Sequence, residues 1–105
     1  MLDTTPLITV VDRFADRLRA APQSRLQQGT AERALAVARE LSARAQRLER
    51  PGRDPYAMPD GGMFAVGDQV AVAGHDLALA LETAPSGELD EAVRYVTEAA
   101  AEAFA

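Results

Sequence analysis

His75 is the only histidine among 105 residues, and histidine is the side chain best suited to move protons in neutral solution. Asp68 stands seven residues before it, which on a helix is about 10.5 Å along the axis. The two cannot hydrogen-bond to each other at that distance, yet each could meet a neighbouring helix. With Tyr56 from the preceding loop they form the candidate ligand-binding set, a polar pocket of Asp68, His75 and Tyr56. The competing structural reading makes His75 a hydrogen-bonded residue at a helix seam, since buried polar groups need partners for stability alone.

Other chemistries find little material. The chain has no Cys, which excludes thiolate zinc sites, iron–sulfur clusters, thiol nucleophiles and disulfides. Di-iron bundles need Glu-x-x-His on paired helices, and that motif does not occur. One His with scattered carboxylates is a poor ligand set, so no metal and no cofactor is expected. Of the three serines, Ser24 and Ser86 stand where helix caps belong and Ser42 is mid-helix; no Gly-x-Ser-x-Gly elbow surrounds any of them. The Gly61-Gly62 stretch lacks the lysine and the strand–turn–helix context of a phosphate loop. The sequence therefore predicts a protein that is not an enzyme.

Charge is unevenly placed. All eleven basic residues are Arg. Residues 1–53 carry a net +4 and residues 54–105 a net −9, within a total of −5. Arg33, Arg39, Arg47 and Arg50 form a row on one segment and are the candidate interaction surface. Such a row suits phosphates, but the chain is acidic and no aromatics interleave with the arginines, so nucleic acid is a weak alternative. Two halves attracting each other account for the asymmetry as well. The residues before Arg13 lack the positive charge of a signal peptide, and no uncharged run approaches the ~20 residues of a membrane span. A cytoplasmic protein with no membrane partner is expected.

These residues must be held by four segments. Leu7, Val10, Val11, Phe14 and Leu18 recur at helical spacing, with Thr5 as the cap, Pro6 opening the helix and Pro22 closing it. From Ser24 or Thr30 to Arg50, a stripe runs through Leu26, Ala31, Ala34, Val37, Ala38, Leu41, Ala45 and Leu48. Ser24 and Gln27 have the spacing of a capping box. Glu40–Arg44 and Asp90–Arg94 have the spacing of i,i+4 ion pairs. Residues 51–62, rich in Pro and Gly, form a loop in which Tyr56 and Met58 are expected to pack onto the core.

Met63 to Thr83 admits two readings. As a helix it lines up Val66, Val70, Ala73, Leu77 and Leu81. As strands it turns at Gly67-Asp68 in a hairpin, the α+β alternative. An isolated hairpin would have no strand to pair with, so the helix is preferred. A second stripe of Phe64, Asp68, Val72, His75 and Leu79 suggests that this helix is covered on two sides. The last helix buries Leu89, Ala92, Val93, Val96, Ala100 and Ala103, with acids crowding its first turn.

The expectation is an all-α, small four-helix up-down bundle of antiparallel helices, one domain over 1–105. Its alanine-rich seams bury little area per residue, which favours association. Function follows as an expectation: a helical protein–protein interaction module that self-associates, a dimer joined through its long second helix or a complex with another protein. A small-ligand bundle and a weak Arg-mediated nucleic-acid binder are the alternatives.

Overall fold

The computed structural model describes residues 1–105, and it contains helices and no strand. The four main helices are α1 (Thr5–Ala20), α2 (Ala31–Glu49), α3 (Val66–Leu81) and α4 (Ser86–Ala103). The small all-α four-helix bundle is thus the fold, and the hairpin at Gly67-Asp68 is excluded, because both residues lie inside α3. All five residues of the expected α3 stripe are buried, and the core is one cluster of 22 buried residues. Phe14, Leu7, Leu41, Leu77 and Leu81 are its largest fully enclosed members.

Local signals set the ends differently from expectation. The helix α1 starts at Thr5 with Pro6 in its first turn, but Thr5 is not the cap. Its backbone N–H donates to Asp3 Oδ1 at 3.0 Å. Hydrogen bonding from Thr5, its side chain first and its backbone N–H second, holds the Asp3 carboxyl below the usual carboxylate range. The Ser24–Gln27 capping box is not formed. Instead a short turn over Gln23–Arg25 runs into a kink where Gly29 takes φ +99°, a left-handed conformation natural to glycine. Thr30, now already helical, turns its hydroxyl away to donate to Ala103 O at 2.8 Å. Glu40 and Arg44 make the expected ion pair at 2.6 Å, whereas Asp90 and Arg94 do not pair.

The long loop determines chain direction. Ala31, Glu32 and Leu35 at the start of α2 share a cleft with Met63 and Val66, while Arg44, Arg47 and Leu48 at its end share one with Leu77 and Leu81. Helices α2 and α3 therefore run parallel. Pairing runs the other way for α1 against α3, where Asp12 meets His75 and Arg19 meets Asp68. It is also antiparallel for α2 against α4, where Thr30 meets Ala103. The antiparallel packing expected of the bundle is found in these two pairs. The refinement is that direction runs up-down-down-up. Parallel neighbours require a crossover, and residues 50–65 supply it by returning the chain along α2. Side chains of α2 hold the loop on that path. Gln46 exchanges two hydrogen bonds with the backbone of Tyr56, at 2.7 and 2.9 Å, and Arg39 donates to Met58 O at 2.8 Å. Met58 packs against the core as expected; Tyr56 does not, its side chain being left outside with 71% of the residue exposed.

Each helix touches two others closely. The helix α1 packs on α3 and α4, α2 packs on α3 and α4, and the pairs α1/α2 and α3/α4 lie across the diagonals. The seam of α1 against α3 is tight at two glycines. A Cβ at Gly74 would collide with both methyls of Val11, and one at Gly67 would lie 3.0 Å from Ala15 O. Small residues here let the axes approach toward the lower end of the usual ~8–10 Å.

Candidate functional site

The seam of α1 with α3 also places the two residues that sequence singled out. His75 Nε2 lies 2.7 Å from Asp12 Oδ1, and both side chains are about half exposed. Two turns away, Arg19 Nε and Nη2 donate to Asp68 Oδ1 at 3.0 and 2.8 Å, while Arg19 Nη1 donates to Asp16 Oδ1 at 3.0 Å. The hydrogen bond that Arg19 donates to Asp68 pushes its guanidinium above the ordinary value; burial opposes this, and the charges of Asp68 and Asp16 add to the rise. Asp68 and His75 are thus each satisfied by α1 and not by each other.

The partners Asp12 and Arg19 escaped sequence reading, though a signal existed. They are seven residues apart on α1, as Asp68 and His75 are on α3, so two antiparallel helices in register bring both pairs together at once. Tyr56 does not join them. It lies beside α2, at a cleft lined by Leu35, Ala36, Arg39 and Ala43. The candidate ligand set is therefore split between two faces of the molecule.

Around Asp68 and His75 lies the second stripe of α3, and it is not covered. Phe64, Val72 and Leu79 are 76%, 60% and 67% exposed. At 100° per residue, positions 68, 72, 75 and 79 of α3 fall within about 60° of one another, and Phe64 stands in the turn just before the helix. The expectation that α3 is covered on two sides is corrected here. Its inner side is shared by α1 and α2, and α4 sits diagonally across the bundle, leaving no element to cover the outside. The result is an apolar row with an ionic row alongside.

Half of the arginine row is occupied at home. Arg33 donates to Glu102 O at 3.0 Å and Arg39 holds the loop at Met58 O. Arg25 donates to Phe104 O and, at 3.2 Å, to Ala105 O. Arg25, Arg33 and Thr30 together satisfy carbonyls at the end of α4, where helix geometry leaves acceptors unpaired and the dipole favours cations. Arg17 stacks 4.0 Å over the Phe104 ring, which meets Phe14 edge-on with centroids 6.2 Å apart. Arg47 and Arg50 remain exposed without an ion pair. Arg47 borders a cleft of ≈ 400 Å³ with Arg44, Leu77, Leu81, Glu88 and Glu91.

No group of three metal-ligating side chains comes together, and no helix is long and apolar enough to cross a membrane. Comparison with known proteins adds no template: no family model, no curated protein and no solved structure matches the chain.

Proposed function

We propose that this chain is a helical protein–protein interaction module that self-associates, using the outer face of α3. One observation carries the proposal: Val72 and Leu79 stand exposed on the outer face of α3, with Phe64 exposed in the turn that leads into it, while the opposite face of the helix is fully buried. Scattered surface apolar residues are ordinary, but two large ones aligned on one helix and a third at its entrance mark a surface that gains by being covered. The thin alanine core supports the same reading, because association adds the apolar burial that the bundle lacks. The surface moves from the α2 arginines to α3, since Arg33 and Arg39 are engaged within the chain.

Light scattering across a concentration series tests the reading. The chain is expected to pass from monomer to dimer. Val72→Asp, at a position too exposed to disturb the core, is expected to hold it monomeric with an unchanged circular dichroism spectrum. A monomer at every concentration for the unsubstituted chain overturns the proposal.

A further inference from the structure

Resting on that self-association reading, we infer that the occupant of the α3 face is the α3 of a second copy, lying antiparallel about a two-fold axis that passes between Ala71 and Val72. The placement of apolar and charged residues carries the inference. A two-fold axis at that point sets Phe64 beside the partner's Leu79, Asp68 opposite the partner's His75, and Val72 against the partner's Val72. Every exposed apolar side chain of the stripe then meets another, and along the two α3 helices no like charges oppose.

The flanking helix repeats the match. Since α1 is antiparallel to α3, with Asp12 on His75 and Arg19 on Asp68, the same axis brings Arg19 opposite the partner's Asp12. Along one edge of the joint the order becomes Asp12, His75, the partner's Asp68 and the partner's Arg19, with hydrogen-bonding complements throughout. Asp16 lies level with the axis and so faces the partner's Asp16, each carboxylate being neutralised by the Arg19 of its own chain, and Asp76 lies at the opposite margin of the exposed face. An isologous interface needs such self-complementarity, because each surface patch must fit itself. The spacing also fits: positions 68, 72, 75 and 79 step by four, three and four, as do the facing positions of antiparallel helices that interlock. A single helix face from each copy is a small interface, below the roughly 1,200 Å² of stable complexes, so the dimer dissociates readily on dilution.

Because the chain has no cysteine, single thiols report the geometry directly. Across the axis, position 72 meets its own copy within the ~4.4–6.8 Å between Cα atoms that a disulfide spans. Positions 64 and 79 each lie about 22 Å from their own copies along the helices. On mild oxidation Val72→Cys is expected to form a disulfide dimer at least ten times faster than Leu79→Cys or Phe64→Cys alone. Mixing the Phe64→Cys and Leu79→Cys chains is expected to restore cross-linking between them. Self-linking of Leu79→Cys as fast as Val72→Cys indicates parallel helices and overturns the inference. A dimer by light scattering in which Val72→Cys fails to link overturns the inference and leaves self-association standing. A chain monomeric at all concentrations overturns both.

Discussion

Tyr95 shows how one side chain is tuned by what packs on it. The Arg44 guanidinium lies 4.6 Å over its ring and is itself held by Glu40. Burial pushes the Tyr95 phenol up from its ordinary value, nearby Glu40 pushes the same way, Arg44 opposes them, and Glu102 adds to the rise. The folded chain thus holds this proton more tightly than the unfolded chain does. The associated stability is complete below the ordinary phenol range, about pH 10, and is lost as pH rises through the higher folded value. Thermal melts above pH 10 are expected to fall more steeply for the native chain than for Tyr95→Phe, with the two curves parallel at pH 7–9. Equal alkaline slopes would show that the phenol does not couple to folding.

At the level of elements, helical periodicity made each buried stripe legible, from Leu7–Leu18 through Leu89–Ala103. It names the face that must be buried without naming the neighbour, which is why the crossover of residues 50–65 and the parallel pairing of α2 with α3 were not read. The length of that loop was the available clue, since adjacent antiparallel helices need only a short connection. Periodicity also offered two stripes on α3, and nothing local tells an uncovered one from a buried one. Gly74 is a similar case. In sequence it is a poor helix former costing up to ~1 kcal/mol; in the fold it is the space that Val11 fills. Gly74→Ala is therefore expected to destabilise by about 1–3 kcal/mol through overpacking, despite its better helix propensity. Gly87→Ala, at an open position in the first turn of α4, is expected to stabilise by up to ~1 kcal/mol. Urea denaturation of both variants checks the pair, and an unchanged midpoint for Gly74→Ala would refute the close approach.

For the whole molecule, the uneven charge has a structural outlet. Basic side chains of residues 1–53 meet residues 54–105 at Asp68, at the Tyr95 ring and at the carbonyls ending α4. Peptides 1–53 and 54–105, oppositely charged at +4 and −9, are expected to be weakly helical apart and to gain helix when mixed. Raising salt weakens the gain, because exposed charges are screened over about 10 Å at 0.1 M. Circular dichroism of each peptide and of the mixture decides it, and full helicity in either peptide alone counts against mutual dependence. The diagonal arrangement extends this point to synthesis. Since α1 and α2 barely meet, a nascent chain leaving the ribosome presents two amphipathic helices with nothing to bury them against. Only the emergence of α3, which touches both, lets the interior close. Folding is therefore held back until translation is well past the midpoint, and that interval is when the chain is most exposed to chaperones and proteases.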